Sequence, residues 1–339
     1  MFYKLIQKNE VKYIILILNW IFIYITYKLN FKKIEFFYEQ KKHHYCNNYG
    51  LFVYDYVYSL VKPMKTLNIG DYIQSLAAYQ YLPKNCMPIL IDRDTIQYYH
   101  GPKVKLIMNG WFLIKEGNKF ASEQIEPYYI SLHINNNIAD KSIIEYLKKY
   151  EPIGCRDTGT YKLLKKKGIN AYFSSCLTTT LDINYYKTKN LRTEEIIFTN
   201  FKYGYYSKAD LFIKNLKGYN FSNITYLSHG FSTKINHLER FRIADNILKK
   251  YAKAKLVITT KIHAALPCLA LKTPVILVNK KYDSLRFGGL YNLLNTIGIN
   301  SKGNFEIKVK LNKKGLVINP NQYLKYSIKL KKLLKDKFK

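Results

Sequence analysis

The sequence predicts an α/β protein built on parallel sheets, and three observations carry that reading. Short apolar runs of strand length alternate along the chain with stretches of helical period, the pattern of strand, crossover helix, strand units. The 339 residues are enough for two such domains of ordinary size, each with its own core. A hydrophobic fraction of 48% excludes global disorder.

The repeating unit is clearest from Lys255 to Val278, K-L-V-I-T-T-K-I-H-A-A-L-P-C-L-A-L-K-T-P-V-I-L-V. Leu256 to Ile258 reads as a buried strand, Ala264 to Leu271 as an apolar helix, and Val275 to Val278, after Pro274, as a second buried strand. In open α/β sheets ligands bind at the carboxyl ends of strands, where a helix N-terminus offers free amides and a positive partial charge. Thr259, Thr260, Lys261 and His263 fall at such a junction, and together they suit a small anion such as a phosphate ester. The plain alternative is a solvated turn lysine and a hydrogen-bonded first-turn histidine.

Taken in order, residues 1–48 form an N-terminal extension. Its apolar run, Tyr13 to Tyr27, is flanked by Lys4, Lys8 and Lys12 and by Lys28, Lys32 and Lys33. The run is short for a spanning helix and lacks a cleavage site after it, which leaves a membrane anchor or interfacial helix over residues 13–29, a partly buried helix, or a disordered extension. From Leu51 the globular part begins with a strand, and a loop turns at Gly70 into an amphipathic helix that Asp71 is placed to cap. The other reading of Asn68, Gly70 and Asp71 is that they line a cleft.

Strands are expected at Met87 to Ile91, Val104 to Met108 and Tyr128 to His133, with a turn at Asn109-Gly110-Trp111. Lys141 to Lys149 reads as a helix, Pro152 to Cys155 as a strand, and Arg156-Asp157-Thr158 opens another helix, with Asp157 as its cap. Arg156 has no local structural need there and offers a bidentate fork to phosphate or carboxylate. A second domain starts near Thr193, with a helix at Lys208 to Leu216, a strand at Ile224 to Leu227 and a long helix from His237 to Tyr251. His133 and His229 each end a strand and read equally well as structural histidines. Tyr323 to Phe338 reads as a packed terminal helix.

The net charge of +32 calls for discounting. Of 55 basic residues only Arg93, Arg156, Arg192, Arg240, Arg242 and Arg286 are arginine, and no nucleic-acid motif is present, so no nucleic-acid partner is expected. A positive surface still draws anionic substrates. The five cysteines are scattered with no C-x-x-C pair, which indicates neither a metal site nor a disulfide framework and favours a reducing, cytoplasmic setting.

Four segments together resemble the polysaccharide pyruvyl transferase family: the Asn68-x-Gly70-Asp71 element, P-I-G-C-R-D-T-G-T around Arg156, the hydroxyl-rich Y-F-S-S-C-L-T-T-T-L, and T-T-K-I-H-A-A-L-P-C-L-A-L-K-T-P-V-I. The resemblance covers roughly residues 51 to 300. It departs from the family pattern at Lys261, where arginine is usual, and near Asn109, where glycines are fewer.

It implies two Rossmann-like domains facing a cleft, similar to glycosyltransferases of the GT-B type, with an acceptor-side domain at 49–190 and a donor-side domain at 191–339. It implies transfer of a pyruvyl group from phosphoenolpyruvate to two hydroxyls of a cell-surface glycan sugar, with no further cofactor. On that reading His263 is the general acid and Asp71 the base, while Arg156, Lys261, Thr260, Gly70, Asn68 and one of Lys280, Lys281 or Arg286 bind substrate. The competing readings are a nucleotide-sugar glycosyltransferase and a non-catalytic glycan-binding protein of the same fold.

Overall fold

The computed structural model describes residues 44–55, 65–84, 86–112, 120–134, 141–186, 192–204 and 206–338. By contact the chain divides into Met1–His44 and Tyr45–Lys339, and the second unit holds the sheets. The expected apolar run at 13–29 lies outside the described residues. Among those described, no helix is long and apolar enough to cross a membrane.

In the first part of the chain β1 (His44–Val53) and β2 (Thr66–Asn68) precede helix α1 (Ile69–Tyr79). There follow β3 (Cys86–Asp92), β4 (Val104–Ile107), β5 (Gly110–Phe112), β6 (Ile125–Tyr128), β7 (Leu132–Ile134), α2 (Lys141–Lys148), β8 (Ile153–Cys155), α3 (Thr158–Lys166), β9 (Ala171–Phe173) and α4 (Ile183–Tyr186). The second part runs β10 (Ile196–Thr199), α5 (Ser207–Lys214), β11 (Ile224–Leu227), β12 (Gly230–Ser232), α6 (His237–Lys253), β13 (Leu256–Thr259) and α7 (Ile262–Ala270). It ends with β14 (Val275–Asn279), α8 (Ser284–Phe287), β15 (Asn295–Ile299), β16 (Phe305–Lys308) and α9 (Tyr323–Phe338).

The fold is mixed α/β with parallel sheets. The second sheet has the order β11-β10-β13-β14-β15-β16, parallel except for its last strand. The first part gives two sets, β3-β1-β4-β6 and β5-β7-β8-β9. Bonds from Met108 N–H to the Tyr128 carbonyl (2.8 Å) and from Gly154 N–H to the Tyr129 carbonyl (3.0 Å) join them, so β4 runs on into β5 and β6 into β7 across a break. In both sheets the first strand lies inside, between the second and third. That reversal of strand order opens a crevice at the carboxyl ends of the strands.

The inner strands are apolar on both faces, as a sheet covered by helices requires. Ile196, Phe198, Leu256, Ile258, Ile276, Val278 and Ile297 form one buried cluster. Each such side chain contributes about 1.5–3 kcal/mol on burial.

Several expectations shift. The first strand starts at His44 rather than Leu51. The expected strand from Tyr128 to His133 is two strands, broken at Ser131, whose φ of 56° is left-handed. Residues 110–112 are strand β5 rather than part of a turn. Asn68, not Asp71, caps α1, its side chain accepting from Gly70 N–H at 3.2 Å. Asp157 does cap α3, accepting from Thr160 N–H at 2.8 Å. The helix after β13 begins at Ile262, two residues early.

Helix α1 ties the two parts together. β2, which leads into it, pairs antiparallel with β12 of the second part, and Ile69 N–H donates to the His229 carbonyl at 2.8 Å. One turn on, the Tyr72 hydroxyl meets His237 Nδ1 at 2.7 Å and receives Arg240 Nη1 at 2.8 Å. Arg240 also donates to the carbonyls of Tyr54, Thr233 and Ile235, and His237 Nε2 lies 3.1 Å from Asp55. The terminal helix α9 makes a second tie. Tyr323 donates to the Leu269 carbonyl on α7, and Ser327 to the Thr179 carbonyl in the first part.

Candidate active site

A group of buried polar side chains, with the half-buried Arg286, gathers where the strands of both sheets end. The first sheet supplies His133 from β7 and Arg156 and Asp157 from the turn between β8 and α3. The second supplies His229 after β11, His263 in the first turn of α7, and Arg286 on α8. Arg156 is 2% exposed and is the largest fully buried side chain.

Close backbone approaches set this assembly. A Cβ on Gly70 would lie 2.8 Å from His263 Cβ, 3.2 Å from Asn68 Oδ1 and 3.3 Å from His229 Nδ1, so α1 seats against both histidines only because residue 70 has no side chain. Likewise a Cβ on Gly159 would fall 2.2 Å from the Leu285 carbonyl oxygen. That contact, with Thr158 N–H donating to the Gly288 carbonyl at 2.9 Å, presses α8 onto the start of α3 and brings Arg286 to Arg156. The Arg286 guanidinium stacks over Trp111 at 4.5 Å and Phe287 at 5.1 Å, contacts worth about 0.5–2 kcal/mol each.

The site is defined by atoms left without a hydrogen-bond partner. Arg156 Nε and Nη2, Arg286 Nε, Trp111 Nε1, His133 Nε2, His229 Nδ1 and His263 Nε2 are all buried and unbonded. A buried polar atom left unsatisfied costs about 1–3 kcal/mol. Gathered at one place, such donors and acceptors suit an anionic partner. The backbone is strained there too: Ser131, Ser175 and Asn200 have φ values of 56°, 65° and 51°, each just past or between the strands that end at the cluster.

Two histidines are held by one nitrogen and offer the other. His133 Nδ1 sits 2.7 Å from Asp157 Oδ2 and 3.1 Å from the Thr160 hydroxyl. His229 Nε2 sits 2.9 Å from the Tyr251 hydroxyl, which in turn meets Thr199 Oγ1 at 2.9 Å. Burial, reinforced by the Lys261 charge, pushes His229 down to about 3. Burial first, then the charges of Arg156, His229, Arg286 and His133, holds His263 well below the usual histidine range. His133 is lowered by burial and by Arg156 and Arg286, against the pull of Asp157. Burial and the Arg156 charge lower Arg286, while Asp283, Asp71 and Asp157 oppose them. The cluster is therefore cationic at its two guanidiniums and flanked at neutral pH by uncharged imidazoles, a surround that favours an anion.

Of the residues expected from sequence, the structure brings together His263, Gly70, Arg156 and Arg286. Asp71 lies in the first turn of α1, bonded to Gln74 Nε2 at 3.1 Å and felt by Arg286. Asn68 caps that helix beside His229 and His263. Lys261 is exposed at the α7 start, near enough to act on His229. Thr260 gives its hydroxyl to the Asn200 carbonyl at 3.0 Å, and Lys281 is exposed while Lys280 lies over Tyr206 at 4.7 Å. Arg286 is thus the residue of that turn which reaches the cluster. His133, His229 and Trp111 join it without having been singled out as site residues. A histidine at a strand end was the one available signal. Among the described residues no His, Cys, Asp and Glu group has a metal-binding arrangement.

A family model described as polysaccharide pyruvyl transferase matches residues 68–282, well over half of the chain. The match takes in every member of the cluster except Arg286, four residues beyond it. A search of curated proteins returned no match. Two solved structures are distantly similar. One is a functionally uncharacterised protein from Klebsiella pneumoniae subsp. pneumoniae NTUH-K2044, 16% identical, covering 75% of this chain and 94% of its own, with a TM-score of 0.44. The other is the E. coli heptosyltransferase WaaC with ADP, 12% identical, covering 85% and 99%, with a TM-score of 0.33. At those scores neither likeness assigns chemistry.

Proposed function

Because the chain belongs to the polysaccharide pyruvyl transferase family, we propose that it transfers the pyruvyl group of phosphoenolpyruvate to two hydroxyls of a cell-surface glycan sugar, forming a ketal and releasing phosphate. The observation that carries this reading is the unsatisfied set around Arg156, Arg286 and His263. Phosphoenolpyruvate bears a phosphate and a carboxylate on three carbons. Two guanidiniums with open donors fit those two anionic groups, and in a buried pocket their attraction is strong.

Ketal formation needs a proton on the enol methylene as an acceptor hydroxyl attacks the adjacent carbon. His263 is the donor of that proton in our reading. It is neutral in the free protein, and the charge of a bound anion raises its affinity for a proton, so donor binding arms it. Asp71, one residue from the Gly70 contact with His263, receives one hydroxyl proton. Lys261, Thr260 and Asn68 border the same crevice. We further propose that two Rossmann-like domains face each other there in GT-B fashion, 49–190 on the acceptor side and 191–339 on the donor side. Phosphoenolpyruvate is then the sole small-molecule requirement, in a cytoplasmic setting with residues 13–29 contacting a membrane surface.

The test is direct. Purified full-length protein is mixed with phosphoenolpyruvate and a panel of hexosides, and released phosphate and acceptor mass are measured. Phosphate release with a pyruvate-sized gain is expected, and His263→Ala should lower turnover about 10²–10⁴-fold without unfolding the protein. Full activity in that variant removes His263 from the mechanism, and nucleotide release from sugar nucleotides instead would point to glycosyl transfer.

A further inference from the structure

We propose that His133 and Asp157 form a catalytic dyad in which His133 Nε2 takes the proton of the second acceptor hydroxyl and passes it to the departing phosphate. The inference rests on the pyruvyl-transfer reading above and adds to it a base that the sequence did not single out. Asp71 is a base for one hydroxyl, yet a ketal is made from two.

The geometry is that of an oriented imidazole. His133 is 1% exposed, and its Nδ1 lies 2.7 Å from Asp157 Oδ2 with the Thr160 hydroxyl at 3.1 Å. A carboxylate accepting from Nδ1–H fixes the tautomer in which Nε2 is the bare, basic nitrogen. That nitrogen has no partner. Asp157 is itself locked, its other oxygen capping α3 through Thr160 N–H at 2.8 Å. The charged groups facing the ring are Arg156 beside Asp157 and Arg286 on α8, with His263 on α7 close enough to sense it. The Trp111 ring lies 6.1 Å away between centroids, tilted by 50°. The ring therefore lies within the field of the two guanidiniums that our reading gives to the donor's anionic groups.

The protons balance. The first hydroxyl oxygen bonds to the central carbon of phosphoenolpyruvate while His263 gives its proton to the methylene, which becomes a methyl. The carbon–oxygen bond to phosphate then breaks with its electron pair on the phosphate side, and the second hydroxyl oxygen closes the ketal. Of the two hydroxyl protons, one returns through Asp71 to His263. The other passes through His133 Nε2 to phosphate, which leaves as hydrogen phosphate.

The experiment uses full-length protein carrying Trp20→Phe, so that Trp111 fluorescence reports phosphoenolpyruvate binding, with the hexoside panel as acceptors. His133→Gln keeps a donor toward Asp157 and removes the base. We expect its kcat to fall at least 100-fold while the Kd for phosphoenolpyruvate stays within about threefold. The acid limb of the pH–rate profile should move to lower pH in the residual activity, to the limb that the Asp71 carboxylate alone sets, which a merely structural role would not cause. Asp157→Asn, which spoils the tautomer, should lose kcat comparably with its thermal midpoint monitored alongside. Turnover of His133→Gln within threefold of the parent overturns the dyad and leaves the pyruvyl reading standing. So does a loss of kcat matched by an equal loss of donor binding, which makes His133 a donor ligand. A parent protein that turns over no acceptor overturns the pyruvyl reading itself, and the dyad with it.

Discussion

Two buried arginines near the same junction have opposite environments. Arg240, 4% exposed, makes its bonds within the protein: Nε to the Ile235 carbonyl at 2.6 Å, Nη1 to the Tyr54 carbonyl and the Tyr72 hydroxyl, and Nη2 to the Thr233 carbonyl at 2.6 Å. Arg156, 2% exposed, leaves Nε and Nη2 unbonded, with Asp157 Oδ2 3.7 Å from Nε. A buried guanidinium whose donors meet carbonyls holds two parts of a fold together. One that leaves two donors without an acceptor has them in reserve for an anion. The contrast separates a latch from a binding site more sharply than burial or residue type does.

The largest effects come from exchanging each arginine for methionine, which keeps the side-chain bulk. Arg156→Met should lower kcat/KM for phosphoenolpyruvate at least 10³-fold, because it removes a charge that the transition state needs. It should cost less stability than the matching change at Arg240, because two of its donors have no acceptor to lose and what is given up is the 3.7 Å pair with Asp157. Arg240→Met should do the reverse: about 3–5 kcal/mol lost, with the Kd for phosphoenolpyruvate changed little in the folded fraction. Urea unfolding and fluorescence titration of both variants check this. If Arg156→Met proved the destabilised one, the distinction between latch and site would fall.

Gly70 offers a smaller break, since it lies where the latch hands α1 to the site. A methyl group there meets His263 Cβ at 2.8 Å, an atom rigidly attached to α7, so one helix must shift. Gly70→Ala should cost about 1–3 kcal/mol as overpacking and reduce kcat/KM roughly 10–100-fold by moving His263. Steady-state kinetics with unfolding curves measure both. Wild-type kinetics in that variant would mean that α1 does not set the position of His263.

The same contrast explains what the sequence displayed and what it concealed. Strands such as Leu256–Thr259 and Val275–Asn279 were readable because both faces are apolar; the extent of α9 was readable too, but its apolar period was not, since Leu324 and Ile328 are exposed and the buried stripe is Tyr323, Ser327, Leu330, Leu334 and Phe338. The junction at Arg156 and His263 was readable because strand ends followed by helix starts are visible in the pattern. The helix cap was misread: Asn68 and Asp71 are both good caps by type, and only backbone geometry selects Asn68. Sequence could not tell Arg156 from Arg240, nor lift His133 and His229 above ordinary strand-end residues. Which donor lacks a partner is decided by side chains brought from far along the chain, as with Tyr251 at His229 and Asp157 at His133.

The two regions also differ in how protons act on them, which gives the smallest but most selective test. His229, His263 and His133 all have folded-state pKa values below the unfolded value near 6.5, with His229 at about 3. Above 6.5 both states carry neutral imidazoles and these groups add no pH dependence. As pH falls below 6.5 the unfolded chain takes up protons that the folded site refuses, so stability declines, by at most about 1.4 kcal/mol per pH unit for each histidine. In the latch, burial raises Asp55, but the His237 hydrogen bond and the charges of His237 and Arg240 outweigh it and hold the carboxyl low. Its contribution is therefore present above the ordinary carboxylate range and is lost only below about pH 4. Urea unfolding between pH 7.5 and 5 should thus show a slope that His229→Gln reduces and Asp55→Asn leaves in place. A flat stability profile from 6.5 to 5 would mean that the site histidines titrate alike in both states, and the picture of a pocket kept neutral until an anion binds would have to be given up.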